Sequence, residues 1–233
     1  MNEADRRTQL LQLAAGAVFL AVAVVLVLIV LNASDSGDGG DTKLEGASEV
    51  NRSLAGIPQQ GMVLGDPAAP VEVAEFADLQ CPYCKAFTEE VLPPIIENQV
   101  KNGRVKLSFR NFTILGEQSP PAGAAALAAG AQGRGWNYVE LFYRNQGTEN
   151  SGYADDAFLE AVAKGAGVKN LDKWNADRAK FLADVEASTA EAEELGFEGT
   201  PSLAIKGPAT DGLEPIGTPS STGDLEKEIE KAG

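Results

Sequence analysis

Residues 71–84 read Val-Glu-Val-Ala-Glu-Phe-Ala-Asp-Leu-Gln-Cys-Pro-Tyr-Cys, and this stretch decides the fold of the chain. Val71 to Phe76 alternates and is rich in β-branched residues, which predicts a strand. Pro82 suits the first position of a helix, so a helix is predicted to begin there with Cys81 as its cap. A strand therefore leads directly into a helix that carries both cysteines at its start.

Cys81 and Cys84 are the only two cysteines among 233 residues, so any thiol chemistry belongs to them. A thiolate at Cys81 would face unpaired N–H groups and the positive end of the helix dipole, which lower a cysteine pKa. Cys81 is therefore the predicted nucleophile, exposed to solvent and with a depressed pKa. Cys84, one turn into the helix, is predicted to be protected and to resolve the mixed disulfide that Cys81 forms with a substrate.

Three other interpretations of the cysteine pair remain. A structural disulfide across so short a loop gains little from chain closure. A zinc site needs four ligands, and a chain with two cysteines and no histidine could supply them only from carboxylates or from a second subunit. Two buried thiols could also lie close together without reacting. A redox-active pair without a metal or another cofactor is preferred, because a proline and an aromatic residue separate the cysteines.

The chain resembles the DsbA-like branch of the thioredoxin superfamily, thiol-disulfide oxidoreductases that work outside the cytoplasm. The resemblance rests on residues 71–84, on their Cys81-Pro82-Tyr83-Cys84 motif and on Gly199-Thr200-Pro201, and it covers roughly residues 61–233. It implies an α/β thioredoxin fold. A helical insertion, about residues 118–196, would separate a βαβ half from a ββα half that opens on a cis-proline.

The periodicity along the chain agrees with this order of elements. Val105 to Arg110 alternates as a second strand, and Leu213 to Ile216 is a candidate edge strand. Ser119 to Gly196 is helical in pattern, with Asn170 to Leu195 as its longest run. Thr222 to Lys231 is predicted to form a closing helix.

The resemblance also implies site residues. Glu75, six residues before Cys81, takes the place of a buried acid, and a carboxylate there could take or supply the Cys84 proton. The Thr200–Pro201 bond is expected to be cis and to set the Thr200 backbone against the nucleophilic sulfur. The alternatives are a solvated strand charge at Glu75 and a simple strand-opening proline at Pro201. The expected substrate-binding residues are Pro82, Tyr83, Thr200 and Pro201.

Family members with this motif commonly donate disulfides to unfolded or reduced exported proteins and are reoxidised by a DsbB-like or VKOR-like membrane protein. An extracytoplasmic oxidase is therefore the leading interpretation. Tyr83 stands where strongly oxidising members carry a histidine, and Val139 where related insertions often carry another, so the direction of electron flow stays open. The alternatives are a reductase or isomerase of the cell envelope and a redox-inactive module that binds extended peptides at the Thr200–Pro201 edge.

An apolar run, Leu10 to Leu31, precedes the domain, with Gln12 as its strongly polar residue. As a helix it would span about 33 Å, enough to cross a hydrocarbon core of about 30 Å. Arg6 and Arg7 precede the run and acidic residues follow it. The sequence therefore predicts a single-pass anchor in the cell membrane, with residues 1–9 cytoplasmic and the catalytic domain outside. The alternative is a cleaved signal peptide.

The composition changes after the apolar run. Residues 32–56 are rich in Gly, Ser and Asp and are predicted to be a flexible linker, and residues 57–233 are predicted to form one DsbA-like domain. The formal net charge of -15 argues against a nucleic-acid partner. Since the chain has no histidine, Ser-His-Asp and Cys-His catalysis are excluded.

Overall fold

The computed structural model describes residues 44–233 of the chain. The predicted cytoplasmic segment 1–9, the predicted transmembrane helix 10–31 and the first part of the predicted linker lie outside the described residues. Among the helices of residues 44–233, none has the length and apolar character needed to span a bilayer.

The described chain begins with an ordered helix. Helix α1, Ala47–Ser53, buries Val50 against the domain. The Asn51 side chain donates to the Gly165 carbonyl at 2.8 Å and accepts from the Asn137 amide at 2.9 Å. The prediction of a flexible linker therefore does not hold for the last part of residues 32–56. Its polar composition gave no sign of these contacts, because the partners lie about ninety residues or more away along the chain.

One mixed sheet of six strands forms the centre of the fold. In chain order the strands are β1 Gln59–Gln60, β2 Val63–Leu64, β3 Val71–Ala77, β4 Val105–Asn111, β5 Ser202–Lys206 and β6 Glu214–Ile216. Their spatial order is β1-β2-β4-β3-β5-β6. Strands β3 and β4 are parallel, as a βαβ unit requires, and the remaining neighbours are antiparallel.

The helices after α1 are α2 Pro82–Glu90, α3 Leu92–Ile95, α4 Ser119–Gly130, α5 Gly135–Arg144, α6 Asp156–Gly165, α7 Leu171–Arg178, α8 Leu182–Glu194 and α9 Thr222–Ala232. Helices α4 to α8 lie between β4 and β5, which confirms the predicted helical insertion. The run from Asn170 to Leu195 is not one helix, because a 3-10 turn, Ala179–Phe181, divides it. No glycine or proline marks that break in the sequence.

Helix α2 is bounded by prolines. Pro82 occupies its first turn, where the missing N–H costs nothing. Pro93 and Pro94 cannot donate to the carbonyls one turn back, so α2 ends and the short α3 begins. A π-helical turn, Ile96–Val100, then leads toward β4.

The side chains of β3 alternate between two cores on opposite faces of the sheet. Val73 and Ala77 lie in the main core. Ala74 and Phe76 lie in a smaller core on the other face. Glu75 is in phase with the first pair, so its carboxyl group enters the main core beneath α2.

Candidate active site

Cys81 is the N-cap of α2, as the sequence predicts. Its Sγ accepts a hydrogen bond from the Cys84 backbone N–H at 3.4 Å. Both cysteines are free thiols. The strand β3 ends at Ala77, so only a short loop connects the central strand to the capping sulfur.

The surroundings of Cys81 favour its thiolate. The Cys84 thiol lowers the Cys81 pKa most, burial opposes this effect, and the Thr200 side chain and the backbone N–H groups of Cys84 and Tyr83 lower the pKa further, to about 6. Cys81 is therefore mostly ionised at pH 7. A thiolate is the form of cysteine that attacks a disulfide and that leaves readily from one.

The prediction that Cys81 is exposed to solvent is wrong. Only 3% of its surface is accessible, compared with 0% for Cys84. The Thr200 carbonyl lies 3.4 Å from the Cys81 Sγ, so the loop before β5 covers the sulfur. A helix-start argument uses neighbours in sequence and could not include a residue 119 positions away. The two cysteines differ in pKa rather than in exposure.

Cys84 is held as a thiol. Burial raises its pKa far above the usual range; the hydrogen bond to Cys81, the charge of the Cys81 thiolate and, when it is ionised, the charge of Glu75 raise it further. Cys84 therefore needs a nearby base before it can attack a mixed disulfide, and it needs a proton when it leaves one.

Glu75 is the acid nearest to this pair. It is 2% exposed, which confirms its predicted burial and excludes the solvated strand charge. Burial raises its pKa to about 8, the Thr88 hydroxyl partly offsets this, and the charge on Cys81 adds to it. Within the described part of the chain, neither carboxyl oxygen has a hydrogen-bond partner of normal geometry, so the Thr88 contact is an approach rather than a bond. Glu75 is mainly a neutral acid at pH 7.

The expected substrate-binding residues come together around the sulfur of Cys81. The Thr200–Pro201 peptide is cis, and both residues are half-buried beside the redox pair. Tyr83, the residue between Pro82 and Cys84, is 75% exposed and presents its ring to solvent. An extended backbone edge and an exposed aromatic ring therefore flank the nucleophile.

Asp78 forms a turn and also links two loops through hydrogen bonds. Its Oδ1 accepts from the Gln80 N–H at 2.9 Å, which forms the turn that precedes Cys81. Its Oδ2 accepts from the N–H groups of Ile114 and Leu115 at 2.9 and 3.0 Å. The carboxylate thereby ties the redox loop to the loop after β4.

Gln146 was not identified from the sequence. Its Nε2 donates to the carbonyls of Leu79 and Cys81 at 2.7 and 3.1 Å. Tyr143 donates from its hydroxyl to the Asp78 carbonyl at 3.1 Å. The end of α5 therefore holds the redox loop in place. A neutral amide just after a helix belongs to no motif, so no sequence signal marks it.

In the part of the chain that the structure describes, no three side chains among Cys, Asp and Glu are grouped so that they could hold an ion. The chemistry available to Cys81, Cys84 and Glu75 is nucleophilic attack on sulfur coupled to proton transfer.

Replacing Thr200 with Val is expected to raise the Cys81 pKa above about 6, because the hydroxyl that favours the thiolate is lost while the carbonyl contact stays. The loss of one hydrogen bond corresponds to a shift of about half to one pKa unit. Thr200→Ser keeps the hydroxyl and is the matched control. Thiolate absorbance against pH measures the shift, and an unchanged pKa in Thr200→Val would contradict this role for the hydroxyl.

Comparison with known proteins places this site in a family. The family model described as Thioredoxin matches residues 58–228, most of the described chain. The chain belongs to the thioredoxin family. Its sulfur pair at the start of α2 and its cis-proline loop before β5 fall inside the matched region.

Two Bacillus relatives narrow the assignment to the DsbA-like branch. The chain is 29% identical over 188 residues to the "Probable disulfide bond formation protein D" of Bacillus cereus, a match covering 78% of this chain and 84% of the relative. It is 29% identical over 157 residues to the "Disulfide bond formation protein D" of Bacillus subtilis, covering 66% of this chain and 69% of the relative.

Solved structures agree with the relatives. Oxidised BdbD from Bacillus subtilis superposes with a TM-score of 0.65 at 25% identity, over 76% of this chain and 97% of that chain. The α-DsbA1 of Wolbachia pipientis has the same fold, with a TM-score of 0.60 at 22% identity, over 73% of this chain and 89% of that chain. The protein is a DsbA-like thiol-disulfide oxidoreductase.

Proposed function

We propose that the protein is an oxidase that introduces disulfides into unfolded or reduced exported proteins outside the cytoplasm. The observation that carries the proposal is the pKa of Cys81, about 6, beside a Cys84 that stays protonated. Stabilising the Cys81 thiolate stabilises the reduced enzyme, and this makes the disulfide form the better oxidant. The names of the two Bacillus relatives agree with this direction.

The oxidation takes two exchange steps. A substrate thiolate attacks the Cys81 Sγ of the Cys81–Cys84 disulfide; the S–S bond breaks, and Cys84 leaves with the electron pair and takes the Glu75 proton. A second substrate thiolate then attacks the substrate sulfur of the mixed disulfide, and Cys81 leaves as a thiolate. Two electrons pass from the substrate dithiol to the enzyme. One of the two substrate protons then returns to Glu75, which replaces the proton given to Cys84, and the other enters solvent.

Substrate binding is assigned to the surface around Cys81. The backbone of Thr200 and Pro201 offers an extended edge next to the sulfur, and the ring of Tyr83 offers exposed apolar area. Unfolded chains present both extended backbone and apolar side chains, so this combination suits them.

The proposal includes the location and the partner of the enzyme. Leu10 to Leu31 would anchor the enzyme in the cell membrane, with residues 1–9 in the cytoplasm. This placement is supported by the apolar length of the segment and by the two arginines that precede it. A DsbB-like or VKOR-like membrane protein would reoxidise the Cys81–Cys84 pair. Retention of the protein in the membrane fraction after a carbonate wash supports the anchor, and a soluble form that begins near Ser34 would contradict it.

A single-turnover assay tests the direction of the reaction. The disulfide form of the enzyme is mixed with an equal amount of a reduced, unfolded protein that has two cysteines. We expect the substrate disulfide to form as the enzyme becomes a dithiol, and Cys84→Ser to give no such product. An enzyme that instead reduces the oxidised substrate, and leaves the dithiol substrate unchanged, would be a reductase.

A further inference from the structure

A cavity of about 640 Å³ lies between α1, α2 and α5. Its walls include Val50 of α1, Thr88 of α2 and Glu140 of α5. The side chains of Glu49 and Glu97, which also line it, are 64% and 66% exposed, so the cavity reaches bulk solvent.

Thr88 lines this cavity, and its hydroxyl approaches the Glu75 carboxyl group. It follows Cys84 by four residues on α2, and residues at this spacing share one face of a helix. The side chain is 5% exposed, yet its Oγ1 has no hydrogen-bond partner in residues 44–233. Its neighbour Glu75 also has two carboxyl oxygens without partners among these residues. Two adjacent buried polar groups without partners require an explanation, and a bound water that bridges them is the simplest.

We propose that Thr88 is a positioning residue for proton transfer: its hydroxyl, with water in this cavity, connects the Glu75 carboxyl group to solvent. The inference rests on thiol-disulfide exchange itself and holds for an oxidase and for a reductase. In both directions Cys84 exchanges a proton with Glu75, and a buried Glu75 must then exchange one with solvent.

The proton transfer balances at each atom. When Cys84 leaves the disulfide, the Glu75 carboxylic acid gives it a proton and becomes a carboxylate. The Thr88 hydroxyl then donates its proton to that carboxylate and takes one from cavity water. When Cys84 attacks a mixed disulfide, the same transfers run in the opposite order.

Among the carboxyl groups that line the cavity, Glu140 is the one suited to exchange protons with solvent near pH 7. Burial raises the Glu140 pKa to about 7, although Arg144 lowers it. The other lining carboxylates form ion pairs, Glu49 with Arg144, Glu97 with Lys101 and Glu89 with Lys85. The titratable groups that face Glu75 itself are Cys81, Cys84 and Tyr143.

Thr88→Val tests the route, because it removes the hydroxyl and keeps the shape, and Thr88→Ser is the matched control that keeps the hydroxyl. A mixed disulfide between Cys81 and glutathione is prepared in each variant, and the rate at which Cys84 resolves it is followed across pH 6 to 9. We expect Thr88→Val to be slower by about tenfold throughout, less than the roughly hundredfold or greater loss from removing an acid–base group, and Thr88→Ser to match the parent. The rate of Cys81 alkylation should stay unchanged in both variants.

A parent-like resolution rate in Thr88→Val would overturn the proposal. An equally slow resolution in Thr88→Ser, or a parallel fall in the rate of Cys81 alkylation, would also overturn it, because either result indicates a general disturbance of the active site. If Thr88→Val does not fold, Thr88→Ala, which also lacks the hydroxyl, decides: a rate lowered by about tenfold while Thr88→Ser keeps the parent rate supports the route, and a parent-like rate overturns it. Oxidation of a reduced protein in the single-turnover assay is a separate readout, so failure of the oxidase proposal would be seen independently.

Discussion

Glu75→Gln is expected to slow the resolution of a Cys81 mixed disulfide by about 10²- to 10⁴-fold, the usual contribution of a general acid or base. The amide has the shape of the acid but neither takes the Cys84 proton nor returns it. Cys84 is buried with its pKa raised far above the usual range, so it cannot supply a thiolate unaided. Stopped-flow measurement of the resolution step, with alkylation of Cys81 as a check on the first cysteine, gives the effect.

The same substitution changes how stability depends on pH. The Glu75 pKa is about 8 in the folded protein against an ordinary value of 4.5, so the folded state binds the proton more tightly. Stability is therefore lost as pH rises from about 4.5 to about 8, and the loss reaches about 3 kcal/mol at pH 7. Glu75→Gln removes this pH-dependent loss of stability. The difference in unfolding free energy between the variant and the reduced parent should therefore shift in favour of the variant by about 3 kcal/mol from pH 4 to pH 7.

Glu90→Gln is the matched control for both experiments, because it makes the same replacement of a carboxyl group by an amide at an exposed position at the end of α2. We expect it to leave the resolution rate and the pH dependence of unfolding unchanged. A resolution rate in Glu75→Gln within about threefold of the parent would show that Cys84 uses another base, since acid–base groups contribute much more.

Alkylation of the reduced protein at pH 6 is expected to label Cys81 at least about a hundredfold faster than Cys84, because the thiolate is the reactive form. About half of Cys81 is ionised at that pH, whereas Cys84 is held as a thiol. Mass spectrometry of the labelled peptides at short times measures the ratio.

The single-cysteine variants provide the functional counterpart. Cys84→Ser should accumulate mixed disulfides through Cys81, because nothing resolves them, and Cys81→Ser should lose exchange altogether. Equal labelling of the two cysteines, or mixed disulfides that accumulate in Cys81→Ser, would reverse the assigned roles.

Local patterns were sufficient to predict the redox motif and its immediate support. Pro82 marks the helix start, and alternation along β3 places Glu75 in phase with buried Val73 and Ala77. Burial of Glu75 was implied by the family resemblance; its phase decides only which core it enters, because both faces of β3 are buried. Its neutral form at pH 7 could not be predicted, since it depends on how many core side chains surround the carboxyl group.

Contacts between distant segments account for the rest. The Thr200 loop that covers Cys81 and the Gln146 side chain that holds the redox loop lie far from the motif in sequence. Val139 is buried in α5 and carries no charge, yet the Cys81 pKa is low without a histidine. The Cys84 thiol supplies the largest part of that effect, which a search for a cationic neighbour would miss.

The secondary structure also divides into elements that local patterns predict and elements that depend on distant contacts. Strands β3 and β4 have clear alternation and match their predicted positions to within one residue. Strand β1 contains two residues, Gln59–Gln60, which is too short for any periodicity. Helix α1 is stabilised by contacts to α5 and α6 rather than by its own polar sequence, so its existence depends on the folded domain.

The reduction potential of the Cys81–Cys84 pair tests most directly the claim that the enzyme is an oxidase, because it measures how strongly the reduced form is stabilised relative to the disulfide. The Cys81 pKa of about 6 lies between the nucleophile pKa of thioredoxin, about 7, and that of DsbA, about 3.5. Because Glu75 is mainly neutral at pH 7, it destabilises the Cys81 thiolate only weakly. Equilibration with glutathione redox buffers should therefore give a potential between about -270 mV, that of thioredoxin, and about -120 mV, that of DsbA. A potential at or below that of thioredoxin would contradict the oxidase and favour a reductase.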